Sequence, residues 1–341
     1  MAPPTQFRFN LQNPFLLFLG DAQDQLAAKT ADGIAYWRPN ECVGQLRLPG
    51  CVADVGLPDR TLDEARNDGA KTLVLGVANR GGVLSKGWLD TLFNAADMGY
   101  DIASGLHGIL NAIPDLEKRA NAADINLVNV RCPEIDYPIA NGKNRSGKRL
   151  LTVGSDCSVG KMFTALALEH ALKKRGFNTT FRASGQTGIF IAGTGICVDA
   201  VISDFVAGAA ELLSPNNDSD HWDIIEGQGS LFHASYAGVS LGLLHGSQPD
   251  SLVLCHDPDR THMRGLKEYV LPKIRDCISL NETCGQLTNP NCRVVGISVN
   301  TQKRGSSEAQ QLLDNLETEL NLPCVDPIRQ GAESLISAMS L

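Results

Sequence analysis

Between residues 154 and 161 the chain reads GSDCSVGK, two glycines separated by five residues with a lysine directly after the second. The segment leaves an apolar run at residues 149–153 and opens a helical pattern at 160–175 that Gly176 stops. A glycine-bearing turn from strand to helix makes backbone N–H groups converge on an anion, and the helix N-terminus adds a partial positive charge. Lys161 supplies a point charge for phosphate oxygens. Such a turn belongs at the carboxyl edge of a parallel sheet, which commits the second half of the chain to an α/β architecture.

The remaining pattern agrees. Residues 15–19, 71–78, 101–103 and 126–130 are short apolar runs of the kind buried in parallel strands, with helical stretches at 22–29 and 85–98 among them. Further runs follow at 179–183, 222–226, 251–256 and 292–299, with a glycine-rich loop after residue 183 and a helix at 203–213. Strand, loop and helix in repeated succession predict doubly wound, mostly parallel sheets. At 341 residues the chain is too long for one ordinary core. The polar, basic, glycine-bearing stretch at 141–148 is the best boundary, giving domains at 1–144 and 145–341.

Composition removes several function classes. Thirty basic residues against thirty-eight acidic ones give a net charge of -8, a poor match for nucleic acid. No eighteen-residue apolar stretch exists, so no membrane span is expected, and the first residues lack a basic, cleavable leader. None of the ten cysteines forms a C-x-x-C pair. Reduced, mostly structural thiols and a cytoplasmic location are the expectation.

One departure limits the chemistry of the loop. Where a nucleotide hydrolase places Ser or Thr to hold magnesium, this chain has Met162, whose soft thioether does not suit that hard cation. Thr164, about half a turn further on, is not an obvious replacement. The loop is expected to grip phosphate without cleaving it, and no metal is expected. Its spacing, one residue longer than the common Walker form, resembles the loop of dethiobiotin synthetase and its relatives.

Ligands of open α/β sheets collect outside the carboxyl ends of the strands, so polar residues there are the candidates. Arg182 lies at the end of one run with Gln186 just after it, and Glu226 ends another, as a functional acid or as an exposed loop carboxylate. His233 comes shortly after, with structural and functional readings both open. Arg80 suits a carboxylate partner or a surface salt bridge. His107 suits a general base or a core histidine bonded to a carbonyl. Helical His170 reads as packing. The stretches 256–260 and 300–304 add two more polar strand ends.

Four motifs, GSDCSVGKM (154–162), SGQTGIFIAG (184–193), IEGQGSL (225–231) and SGLHGIL (104–110), together with the N-terminal α/β half, resemble a P-loop family long catalogued as of unknown function. Its characterised member is a bacterial D-glutamate N-acetyltransferase, and the resemblance covers nearly the whole chain. It implies an N-terminal Rossmann-like domain and a C-terminal P-loop NTPase-like, dethiobiotin-synthetase-like domain. It also implies acetyl-CoA as co-substrate, D-glutamate as acceptor, and N-acetyl-D-glutamate and CoA as products. Coenzyme A carries a pyrophosphate and a ribose phosphate that a loop can hold without magnesium, which accords with Met162.

Under that reading Gly154, Ser155, Asp156, Cys157, Ser158, Val159, Gly160, Lys161, Met162 and Phe163 hold the donor. The acceptor ammonium, with a pKa of about 8 or above, must lose a proton before it attacks. Glu226, His107, His233 and Asp156 are the candidate bases, and spacing does not rank them. Arg80, Arg182 and Arg260 are the candidates for the two acceptor carboxylates, with Gln186 or loop N–H groups for the oxyanion. Cys157, at the helix start, offers a covalent acetyl-enzyme beside the preferred direct transfer. The competing readings are an ATP- and magnesium-dependent ligase or kinase like dethiobiotin synthetase, with Glu226 as a metal ligand, and a CoA or nucleotide sensor without turnover. The expected partners are small molecules and further copies of the chain, as a dimer or higher oligomer.

Overall fold

The computed structural model describes residues 7–77, 84–132 and 136–339, which fall into two compact units. Of the described residues, one unit consists of 7–77, 84–132 and 186–200, and the other of 136–185 and 201–339. Among the described residues no helix is long and apolar enough to cross a membrane.

In the first unit five parallel strands, β1 (Phe15–Gly20), β2 (Cys42–Arg47), β3 (Thr72–Leu75), β4 (Asp101–Ser104) and β5 (Leu127–Asn129), stand in the order β2-β1-β3-β4-β5. Every residue of β1, β3 and β4 is buried, as a parallel strand covered on both faces requires. Helices α1 (Lys29–Trp37), α2 (Leu62–Asn67), α3 (Lys86–Asp97) and α4 (Leu116–Ala123) connect them. The helix expected at 22–29 lies later in the chain. Asp24 Oδ1 accepts from Ala27 N at 2.8 Å and holds a short 3-10 turn, and the buried stripe Ala31, Ile34 and Ala35 then carries α1 past Lys29. Strand β2 was not expected, because Gly44, Gln45 and Arg47 break its apolar pattern. Buried Gln45 is tolerated there because its amide donates to Asp54 Oδ1 at 3.0 Å and accepts from Val55 N at 2.9 Å.

The second unit holds six parallel strands, β6 (Lys148–Gly154), β7 (Thr179–Arg182), β8 (Trp222–Ile225), β9 (Ser251–His256), β10 (Arg293–Val299) and β11 (Cys324–Val325). Their order is β11-β10-β9-β6-β8-β7. From β6 the chain goes to the edge strand β7, returns to place β8 between them, and then crosses to β9 on the other side of β6. The order therefore reverses at the β6–β9 pair, where Gly154 lies opposite Cys255. Helix α5 (Lys161–Lys174) follows β6 at the expected place. The stretch after residue 183, expected as a glycine-rich loop, is instead helix α6 (Gln186–Ala192), which packs on α1 in the first unit. Ile189, Phe190 and Ile191 are buried there, and Arg38 Nε donates to Ile191 O at 3.1 Å; burial overrides the glycine signal. Helices α7 (Val206–Leu213), α8 (Ala237–Ser247), α9 (Ile274–Gln286), α10 (Ser306–Leu320) and α11 (Glu333–Ser337) complete the unit.

Candidate functional site

The apolar strand β6 delivers Gly154 to the sheet edge beside β9, and the next six residues turn the chain into α5. Ser158 (φ +51°) and Gly160 (φ +99°) both take left-handed backbone, which curls the loop ahead of the helix. Lys161 is buried, and its Nζ donates back to Asp156 O at 2.8 Å. Burial pushes its pKa down, while Cys157, Cys255 and Asp156 push the other way. The loop rests on Thr152, whose hydroxyl donates to Lys161 O at 3.1 Å and accepts from Gly227 N at 2.9 Å. Gly227 must be glycine, since a Cβ there would lie 1.6 Å from Thr152 O.

Met162 is half-buried in the first turn of α5. The Thr164 hydroxyl turns into the core, donating to Gly160 O at 3.0 Å and sharing a 2.7 Å bond with Ser298 Oγ. It therefore does not take the place of the metal-holding hydroxyl that Met162 lacks.

Basic groups grip the loop from the segment after β9. Asp156, fully buried, accepts from Arg260 Nη1 at 2.6 Å, Arg264 N at 2.8 Å and Cys157 N at 2.7 Å. Arg260 also donates to Cys157 O at 2.6 Å and Ser158 O at 3.2 Å, and the Arg264 guanidinium donates to Ser158 Oγ. His233 is buried beneath this group. Its Nδ1 accepts from Ser235 N at 3.1 Å, so the ring proton sits on Nε2 and is given to Arg264 O at 3.0 Å. Asp156, Cys157 and His233 place ligand atoms within 4.8 Å of one another, the geometry of a metal set. The carboxylate is already committed to a guanidinium and backbone amides, and both imidazole nitrogens are engaged. These donors therefore fit a loop scaffold better than a cation.

On the other side of β6, Glu226 Oε2 accepts from Ser184 N at 3.0 Å and Gly185 N at 3.1 Å, lacing the ends of β7 and β8 together. Gln228 Nε2 reaches Ser184 Oγ at 3.1 Å. At the end of β9, His256 Nδ1 lies 3.0 Å from Ser155 Oγ.

The structure thus brings the loop residues 154–163, Asp156, Arg260, Glu226 and His233 to the carboxyl edge of the second sheet. It does not bring Arg182 there. That guanidinium is buried and donates to Asp223 Oδ1 at 2.7 Å, an ion pair within the core. Gln186 and His107 belong to the first unit. Gln186 Nε2 donates to Thr30 Oγ1 at 3.3 Å and its carbonyl accepts from Arg131, which also holds Gly105 O at 2.9 Å and Asp199 at 2.5 Å. Burial raises the Asp199 pKa, but Arg131 and the Cys197 thiol outweigh it and the net shift is downward. His107 is exposed on the loop after β4, within electrostatic reach of Asp199. Arg80 lies outside the described residues. The sequence reading missed Arg131, Asp199 and Arg264, and noted His256 only as a polar strand end. Arg131 sits just past β5, where the strand-end rule could have found it; Arg264 lies in irregular chain with no pattern to mark it.

A parallel Rossmann-like sheet followed by a P-loop sheet, with a glycine loop that carries lysine but no metal-holding hydroxyl, defines the class. The chain belongs to the DUF1611 family: residues 138–336 match its "Domain of unknown function (DUF1611_C) P-loop domain", and 47–133 match its Rossmann-like N-terminal domain. It is similar to a D-glutamate N-acetyltransferase of Tritonibacter scottomollicae, 54% identical over 97% of this chain and 99% of that protein. A D-glutamate N-acetyltransferase of a Pseudoalteromonas species is 49% identical over 96% of this chain and 98% of its own length. The crystal structure of a DUF1611 family protein from Anabaena variabilis superposes with a TM-score of 0.86 at 30% identity, covering 96% of this chain and 99% of the other.

Proposed function

We propose that the protein moves the acetyl group of acetyl-CoA to the amino group of D-glutamate, giving N-acetyl-D-glutamate and CoA. The observation that carries this is the near full-length likeness, at 54% and 49% identity, to two proteins named for that reaction. The loop supports a CoA donor. Its amides and Lys161 suit a diphosphate, and Met162 with Thr164 turned inward suits one that is held and not hydrolysed. Arg264 and Arg260 stiffen the loop and add positive charge beside it. In the reaction the amine lone pair forms the N–C bond, the C–S bond breaks, one ammonium proton passes by way of a base to the departing thiolate, and a second leaves the nitrogen for solvent.

The test is to incubate the protein with acetyl-CoA and a panel of D- and L-amino acids and follow free thiol, with ADP formation from ATP and magnesium measured in parallel. Thiol release that depends on D-glutamate is the expected result. ADP formation without it would favour a ligase or kinase, and ligand-induced thermal stabilisation with neither product would favour a sensor.

A further inference from the structure

His256 closes strand β9 at the pair where the strand order of the second sheet reverses, beside the first residues of the phosphate loop. Its place is fixed on two sides: Asn300 N donates to its carbonyl at 2.9 Å, and Nδ1 lies 3.0 Å from Ser155 Oγ. The ring is half-buried, and Nε2 has no hydrogen-bond partner among the described residues. Neighbouring candidates for proton transfer are committed elsewhere. Asp156 accepts from Arg260, Arg264 and Cys157; Glu226 accepts from two backbone amides; both nitrogens of His233 are engaged.

On the acetyl-transfer reading above, on which this rests, we propose that His256 is the catalytic base that takes the proton of the acceptor ammonium at Nε2. Ser155 acts as its positioning residue: with Nδ1–H given to the hydroxyl, the ring lone pair lies on Nε2. The freed amine forms the N–C bond to the thioester carbon, the tetrahedral intermediate loses its second N–H proton to solvent and expels the thiolate with C–S cleavage, and the imidazolium returns its proton to that thiolate. Burial keeps the ring neutral by pushing its pKa down, opposed by Asp257 and assisted by Arg260. From the phosphate loop and α5 the charged groups are Asp156 and Lys161, held by Arg260 and by the loop carbonyl respectively. Activity therefore falls as pH drops through a midpoint below the ordinary imidazole value, and this acidic limb belongs to His256.

The experiment compares His256→Asn and His256→Gln with the wild-type protein, measuring the pH profile of kcat for D-glutamate-dependent thiol release and, by calorimetry, the affinity for acetyl-CoA. The expected result is a fall in kcat of about 100- to 10,000-fold with the acidic limb gone and acetyl-CoA affinity within threefold of wild type. Near wild-type kcat with the limb intact in either variant would overturn the assignment, as would loss of acetyl-CoA affinity in both, which would make His256 a structural support of the loop. The wild-type assay separates the two levels: absence of D-glutamate-dependent thiol release there refutes the transferase reading itself.

Discussion

On the reading proposed above, Lys161 serves the ligand at a cost to the fold. Its ammonium is buried, so its pKa sits below the ordinary 10.5, and the unfolded chain binds more protons between those two values. Stability therefore rises with pH across that window and is lowest where both states are protonated. Lys161→Met should flatten this alkaline slope in thermal melts and leave neutral-pH stability equal or higher. The same change should weaken acetyl-CoA at least tenfold by calorimetry, about 1.4 kcal/mol. Unaltered donor affinity would remove the phosphate role from this loop. Arg182 carries the reverse expectation. Because its guanidinium is buried against Asp223, Arg182→Ala should cost about 3–5 kcal/mol in denaturant unfolding. A rise in KM for D-glutamate with stability unchanged would return Arg182 to the acceptor-binding set that the sequence suggested.

Among elements, the loop ends of β6 and β8 meet with no room to spare. Gly227→Ala would drive a Cβ into Thr152 O, a backbone atom that cannot yield without moving β6 itself. The expected outcome is destabilisation of about 3 kcal/mol or more, with weaker donor binding in whatever folds. A variant that melts within a degree of wild type would mean the two strands are not held this closely. The strands of both sheets were legible because burial on both faces demands continuous apolar runs, as in FLLF of β1 and VVGISV of β10. β2 and β11 were not. β2 mixes polar residues whose burial depends on partners such as Asp54 and Val55, and β11 is only two residues long. Helix α6 hid behind its glycines because the surface that makes it a helix is α1, some 150 residues away.

At the scale of the whole molecule, the chain leaves the first unit, builds β6 to β7, returns with 186–200, and leaves again. The first unit therefore takes Gln186 and Asp199, the partners of Arg131, from a later part of the sequence. A fragment ending at residue 135 should lack a cooperative thermal transition at the temperature of the full chain, because α1 loses its α6 cover and the Arg131 guanidinium loses a buried acceptor and its ion pair. A fragment that melts like the intact protein would show that the returning segment adds nothing to that unit. The same returning segment limits what the sequence could yield. Local order along the chain was enough to specify the parallel architecture, the phosphate loop and the missing metal-holding hydroxyl, since each is set by neighbours within one strand–turn–helix unit. The bonds of Arg260 and His256 to the loop, which span 104 and 101 residues, and the capture of α6 by the first unit arise only when distant strands are brought to one sheet edge. Side-chain partnership of that kind depends on which strand ends become neighbours, and that is decided by packing, not by any local pattern.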